Sequence, residues 1–577
     1  MFKQPLDANL PTMRLKSDMP LRKALWSTWS PVIGLALYWV AAIGIAAPWG
    51  PVLANDDFSF YQSLSALSNQ GQIIATGWGK GGPALIVHLL WSRLFTLVFG
   101  WSFNVVRISV LCWGIIGSVA ILFLLRRLKA PGWLALLGSL VLAANPLYFS
   151  LSLTYMTDVT FAGLCACSLL ALHTGGLRRS WLLICLGLIW AAMAILTRQI
   201  GIVIPMAFIV LTLVRPGARA MGRWKLVAAA LLLSFLPWIA WEYTLSALGS
   251  TPVTKHAVFH NIIGHWVEKG PADYLVYIYT RLFHVALGYT GFFLLPLLVF
   301  WYQKFLHMPW VRRIFYLITV AFILFETAIL TGFVHPPVVF YRNVITNFGI
   351  GPLLFKDTYL MGLQRLTPLH PAAYYVLVYL ALLGGLSLLA VGLKAVRDFF
   401  QLNFITALTL LCAVFYLGII TLTGFHDRYL IPMLVFLIVF LVGLMKDEVP
   451  WPPAMPAVAA SIILLAATAW FSIAGAHDYL ALRKEAFKAH EYAVKDLGAD
   501  VCRVDAGFEI NGYYCYDPDY QKRDGLSWWW VEAEDYLLAL GPLPGYETVK
   551  TFPVRRYLGQ DGAVFILKPQ SPAGTAP

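Results

Sequence analysis

The sequence predicts an all-α polytopic membrane protein of about 13 transmembrane helices, with interfacial helices in its outer loops and a small C-terminal α/β domain. Three observations carry this reading. Of 577 residues, 59% are apolar and only 12% charged, against about 25% charged residues in ordinary soluble domains, which excludes a water-exposed globule of this size. Mean hydropathy is +0.71, and long apolar runs recur along the chain. The net charge of +13 is also unevenly divided: residues 1–475 hold 31 basic and 14 acidic residues, residues 476–577 hold 11 and 15. The basic excess therefore belongs to the membrane part, where Lys and Arg set topology and meet anionic lipid, and no nucleic-acid partner is expected.

Residues 1–29 are polar and basic (Arg14, Lys16, Arg22, Lys23). No short apolar run with a small-residue cleavage site follows them, so they are expected to be a cytoplasmic segment without a cleaved signal peptide. Apolar segments then follow near 30–49, 104–125, 132–150, 159–175, 181–196, 200–214, 226–246, 282–302, 314–332, 373–393, 403–423, 430–445 and 457–475, and residues 30–475 form the transmembrane domain. The stretch 83–99, in the first outer loop (50–103), is apolar and just long enough to cross. If it crossed, Arg126, Arg127 and Lys129 would fall outside; as an interfacial helix it leaves every compact basic cluster inside. The odd number of crossings puts 476–577 outside, as a periplasmic or extracytoplasmic domain on an inner-membrane protein. In that domain 477–498 has helical periodicity, 501–505, 546–552 and 563–568 read as strands, and 569–577 as a disordered tail.

Five cysteines (Cys112, Cys165, Cys167, Cys185, Cys412) lie in apolar spans, where they read as small core residues. Cys502 and Cys515 fall in the outer domain. A disulfide between them contributes about 3 kcal/mol on the chain-entropy model and needs an oxidising compartment.

The chemistry-bearing residues gather in the outer loops. Asp56 and Asp57 follow the first span directly; two adjacent carboxylates at a membrane surface are costly and suggest a task, while Asn55 or Asp56 capping a helix over 57–69 accounts for them equally. Lys80 stands among glycines in Gly77–Pro83, where backbone amides and a helix start at Pro83 suit a phosphate; a flexible turn is the alternative, and the pattern is no Walker A loop. Asp158 sits in the next, very short loop, as a third carboxylate or a cap of the following span. Arg198 interrupts an apolar stretch between two short spans and either snorkels or lines a polar cavity. His256, His260 and His265 share a loop without the further ligands zinc needs. Arg342 belongs to a polar loop over 333–371, and Glu326 is an acid inside a span. His426, Asp427, Arg428 and Tyr429 concentrate a histidine, a carboxylate and a cation at a late outer turn. A divalent metal is compatible with this set, but no ligand cluster indicates one, and no other cofactor is implied.

The order and sidedness of Asp56-Asp57 after the first span, Asp158 in the second outer loop and Arg428-Tyr429-Leu430-Ile431-Pro432 at a late turn resemble membrane glycosyltransferases of the GT-C superfamily. The likeness is to the family 39-like branch of protein O-mannosyltransferases and lipid A aminoarabinose transferases, and it covers about residues 30–475. It implies a GT-C-like fold and inverting transfer of a sugar from a polyprenyl-phosphate donor to a lipid, glycan or protein hydroxyl at the outer face. The family's usual Asp-Glu is here Asp56-Asp57, its first acid matching the catalytic base. The lysine meeting the donor phosphate matches Lys80, with Gly-Gly-Pro where Pro-Pro neighbours are usual. A donor of this kind keeps its lipid in the bilayer, and its phosphate leaving group needs cations: Lys80, Arg198, Arg342 and Arg428 are the candidates. Asp56, Asp57 and Asp158 are the catalytic candidates, and His426, Asp427, Tyr429, His260 and Glu326 the substrate contacts. The main alternative is a transporter or flippase of a lipid-linked or anionic substrate, for which no inverted repeat is evident; a binding or assembly protein is the third.

Overall fold

The structure, a computed structural model, describes residues 21–72, 85–215, 221–249, 286–302, 371–423, 426–446 and 453–570 apart from 518, 528 and 559, with scattered positions at 264–273 and 344–350. The predicted class is what it shows: a helical membrane bundle carrying a small C-terminal sheet. The helices are α1 (Leu21–Ala46), α2 (Asp57–Asn69), α3 (Ile86–Phe99), α4 (Phe103–Arg127), α5 (Gly132–Ala143), α6 (Pro146–Ser152), α7 (Thr157–Arg178), α8 (Trp181–Ile195), α9 (Val203–Val214), α10 (Arg223–Ala247, with a π turn at Leu231–Phe235), α11 (Gly288–Leu298), α12 (Pro371–Arg397), α13 (Phe404–Thr423), α14 (Leu430–Met445), α15 (Met455–Lys495) and α16 (Phe508–Cys515).

Among the described residues eight helices are long and apolar enough to cross a bilayer, or nine if α5 and α6, bent by 65°, form one span. Four shorter apolar helices accompany them. Each expected span coincides with one of these except that at 314–332, which lies outside the described residues, so the exact count of 13 is not established. The α5–α6 bend has a local cause: Pro146 cannot continue α5, and Asn145 Oδ1 restarts the chain by accepting the N–H groups of Leu147 and Tyr148 at 3.0 and 3.3 Å. α3 has 14 residues, about 21 Å at 1.5 Å per residue, short of a hydrocarbon core. It buries His88 and Leu89 while Leu90, Leu94, Leu97 and Phe99 stay exposed, a face suited to lipid.

α14 is the centre of the bundle, with 89% of its span buried against neighbours. Where α11 meets α12 the backbones nearly touch: a Cβ on Gly291 would stand 2.0 Å from the Gly385 nitrogen, so only glycine permits the crossing.

The last span does not end at the membrane. α15 runs 41 residues without a break, about 60 Å, so the boundary expected after residue 475 falls inside one helix whose C-terminal half is the helix read at 477–498. Against it packs a four-stranded sheet of order β3-β4-β6-β5, made of β3 (Val504–Asp505), β4 (Tyr536–Ala539), β5 (Tyr546–Val554) and β6 (Gly562–Pro569). β3 and β4 pair in parallel, the rest antiparallel. β4 and α16 had no counterpart in the sequence reading. Cys502 and Cys515 are joined by a disulfide with Cα atoms 5.7 Å apart, closing the loop that contains α16, while the other five cysteines are free. The tail from 571 onward lies outside the described residues.

Candidate functional site

Four loops, distant in sequence, converge at one end of the bundle. After α1 the chain turns through Asn55, whose φ of 57° is left-handed, a conformation Asn tolerates better than most residues. α2 starts at Asp57, with Asp56 in the N-cap position. The Asp56 carboxylate makes no capping hydrogen bond. Instead Arg428 Nη2 donates to Asp56 Oδ2 at 3.0 Å, across 372 residues of chain. Capping therefore does not explain Asp56, although it was the competing account of the pair.

Asp57 behaves differently. It is fully buried, and its Oδ1 accepts the Ala54 N–H at 2.8 Å, closing the turn that carries Asp56. Burial pushes its pKa well above the usual carboxylate range, with the Ala54 and Tyr155 amides and Arg107 opposing and Glu509 assisting.

Asp158 lies in the first turn of α7. Its Oδ1 accepts a hydrogen bond from Arg198 Nη1, and the same nitrogen faces Thr157 Oγ1 at 3.4 Å. Arg198 sits between α8 and the short 3-10 turn Gln199–Ile202; it lines this polar cluster rather than snorkelling away. Asp427, Arg428 and Tyr429 form the 3-10 turn that enters α14. Both cations reach the Tyr429 ring, its centroid 5.0 Å from the Arg198 guanidinium carbon and 5.6 Å from that of Arg428, each a cation–π distance. Two carboxylates and two guanidiniums thus meet around one aromatic plate. The four charges cancel, which makes their burial near hydrocarbon tolerable.

Asp427 serves the backbone. It is fully buried, and its oxygens accept N–H groups from Val344, Ile345 and Arg428 at 2.7–3.0 Å, tying the hairpin β1 (Ile345–Thr346) and β2 (Gly349–Ile350) to the site turn. His426 packs edge-on to Tyr429 at 5.2 Å. The ring is exposed at the rim of the cluster, and partial desolvation and the neighbouring Arg428 lower its pKa from the usual histidine value. Lys80, His260, Glu326 and Arg342 lie outside the described residues. Among those described, no three His, Cys, Asp or Glu side chains gather as a metal site.

The sequence reading missed a second polar cluster directly behind Asp56. Arg483 of α15 donates to Glu509 of α16 at 2.7 Å, both side chains at most 2% exposed, and Glu509 also accepts from the backbone of Asn55. Arg107 adds a buried cation close to Asp57, donating to Asn104 Oδ1 at 2.9 Å. An arginine in the second turn of α4, just before its long apolar run, was the one available signal for this cluster.

Residues 83–241 match the family model of dolichyl-phosphate-mannose-protein mannosyltransferases, which bears out the resemblance drawn from the motifs. The matched stretch contains Asp158 and Arg198; Asp56 and Arg428 lie outside it. No curated protein matches. Among solved structures, the chain is similar to ArnT from Cupriavidus metallidurans in the apo state, at 13% identity over 94% of this chain and 98% of that one, with a TM-score of 0.41. It is similar also to ArnT from the same organism bound to undecaprenyl phosphate, at 14% identity, 95% and 99% coverage and a TM-score of 0.38. Neither score establishes a common fold.

Proposed function

We propose that this chain transfers a sugar from a polyprenyl-phosphate donor to an acceptor hydroxyl at the outer face of the membrane, with inversion at the anomeric carbon. The observation that carries the proposal is the Asp56–Arg428 pair. A carboxylate freed from capping, a quarter exposed, stands beside a fixed cation at the end of a membrane bundle, next to the Asp158–Arg198 pair from the family-matched stretch.

The chemistry needs both signs of charge. An acceptor hydroxyl attacks only as its proton leaves, and a carboxylate within hydrogen-bond reach takes it; Asp56, more accessible than Asp57 or Asp158, has that role. The C–O bond to the donor phosphate breaks as the new glycosidic bond forms on the opposite face of the ring, and the departing phosphate gains charge. Arg428 and Arg198 stabilise it, with Lys80 and Arg342 completing the cation set. Asp158 aims Arg198 and Tyr429 spaces the two guanidiniums. His426, Asp427, Tyr429, His260 and Glu326 are the proposed substrate contacts, Asp427 acting by fixing the 344–345 backbone. The C-terminal domain and the site face the periplasmic side of the inner membrane.

The test is to incubate the purified full chain with a panel of polyprenyl-phosphate sugars and an envelope lipid extract, following release of polyprenyl phosphate by mass spectrometry. Release with one sugar, abolished in Asp56→Asn, is expected. Translocation of the lipid-linked sugar without any release would replace the transferase by a transporter.

A further inference from the structure

Asp56 is held in place from two sides. From below, Arg428 takes its carboxylate. From above, the turn that carries it is gripped by the C-terminal domain, through contacts that the transfer chemistry does not itself use. Glu509, at 0% exposure, accepts the N–H of Asn55, the left-handed residue immediately before Asp56. Arg483, on the C-terminal half of α15, donates to Glu509 Oε1 at 2.7 Å and so ties the acceptor to the helix that also forms the last span.

The same surface grips the rest of the first turns of α2. Phe58 inserts among Phe508, Trp530 and Tyr516, with ring centroids 5.2, 5.8 and 6.4 Å away. Gln62 Nε2 donates to the carbonyls of Gly512 and Tyr513 at 3.0 and 3.2 Å. Gly512 is the residue that lets them meet, since a Cβ there would stand 2.6 Å from the Phe58 ring. All of these partners except Tyr516 and Trp530 lie inside the loop closed by Cys502–Cys515.

We infer that Glu509 is a positioning residue of the transferase site: the disulfide-closed loop 502–515 of the C-terminal domain holds the Asn55–Asp56 turn and thereby sets the place of the base. The inference rests on the proposed role of Asp56. It makes the C-terminal domain a working part of the site rather than an appendage.

Removing Glu509 alone would leave Arg483 buried with its partner gone, so the test replaces the pair as a unit. Arg483→Met with Glu509→Gln removes both charges but keeps an oxygen for the Asn55 N–H. Arg483→Met with Glu509→Met has nearly the same volume and lacks that oxygen. Buried ion pairs replaced by apolar groups of similar size are often tolerated, and equal melting temperatures of the two full-length variants confirm the match. The Met variant is expected to exchange the amide hydrogens of residues 54–57 faster than the Gln variant. Its kcat should be lower by about tenfold or more, with donor KM within about twofold, because small displacements of a catalytic group cost rate rather than binding. Equal exchange in the two variants overturns the inference, as do equal rates despite different exchange. Exchange is read without turnover, so a failed base assignment, seen as Asp56→Asn transferring at the wild-type rate, is told apart from failed positioning.

Discussion

Asp56→Asn changes one oxygen for an NH₂ at the point where the proposed chemistry needs a base. General-base loss typically costs 10²–10⁴-fold, which at 1.36 kcal/mol per tenfold is about 3–5 kcal/mol of barrier. The stability cost should be much smaller. Breaking a fully buried pair costs about 3–5 kcal/mol, but the Asp56 side chain is 25% exposed, Asn retains an oxygen to accept from Arg428 Nη2, and Arg428 keeps the face of Tyr429. About 1–2 kcal/mol is the corresponding expectation. Asp57→Asn is the control on the adjacent residue. Burial pushes the Asp57 carboxyl up, toward the neutral form that an amide imitates, and Asn keeps the oxygen for Ala54, so transfer should stay within a few-fold of wild type. The assay is single-turnover sugar transfer on both variants, with elution volume and melting temperature recorded on the same preparations. A folded Asp56→Asn protein that transfers at the wild-type rate, or an Asp57→Asn protein that loses transfer while Asp56→Asn keeps it, would refute the reasoning.

Four further predictions concern the surrounding groups. A double-mutant cycle of Asp158→Asn and Arg198→Gln should show a coupling of about 1–3 kcal/mol in the barrier, because the two side chains act as one hydrogen-bonded unit; additivity in transfer rates would show that Asp158 does not act through Arg198. Tyr429→Leu removes the plate shared by both cations and should weaken donor binding by about 3–30-fold, the effect of losing one or two cation–π contacts of about 0.5–1 kcal/mol each; Tyr429→Phe should not, and titration with donor compares them. Replacing Cys502 and Cys515 by serine opens a short loop and should lower the stability of the C-terminal domain by about 3 kcal/mol on the chain-entropy model, read by chemical denaturation followed through the tryptophan fluorescence. Burial pushes Glu509 up to about 7 from 4.5, so between these pH values the folded chain binds more protons than the unfolded one. Its contribution is then fully present below about 4.5 and is lost as pH rises through 7; the melting-temperature difference between wild type and Glu509→Gln, measured at pH 5 and pH 8, should shift against wild type at the higher pH.

Much of the bundle was legible because hydrocarbon imposes length and composition on anything that crosses it. Where the structure describes them, the apolar runs read from the sequence reappear as helices, although the run at 132–150, read as one span, is broken by Asn145-Pro146 into α5 and α6. The site was legible for a related reason: charged residues next to apolar spans are conspicuous, and Asp56, Asp158, Arg198 and Arg428 stood out one by one. Their pairing did not, because contacts across 40 and 372 residues leave no local pattern. Asp427 has a structural task that its sequence context did not announce. Its charge drew attention as a substrate contact, while its oxygens accept N–H groups from a loop some 80 residues earlier. The C-terminal domain was least legible. β4 and α16 are short, and Glu509 and Arg483 look from sequence like the solvated charges around them, since burial of a polar residue in a mixed domain is decided by tertiary contacts alone.

The pairing also sets what a ligand must do on arrival. With Arg428 given to Asp56 and Arg198 to Asp158, these four charges balance, and under the proposed function an incoming phosphate has to draw on guanidiniums that already have partners. Each guanidinium has five N–H donors in a fixed fork, so accepting a phosphate oxygen does not require abandoning the carboxylate. The two residues are therefore able to hold the donor and keep their aspartates oriented at once, which a lysine, a point charge on a flexible stem, does less well. Arg428→Lys should on this argument preserve the charge and lose the double engagement. Both donor affinity and rate should fall, and Asp56 should be released from its present position, visible as faster amide exchange over residues 54–57. Unchanged kinetics in Arg428→Lys would mean that charge alone suffices and that the fork geometry around Tyr429 has no part in the reaction.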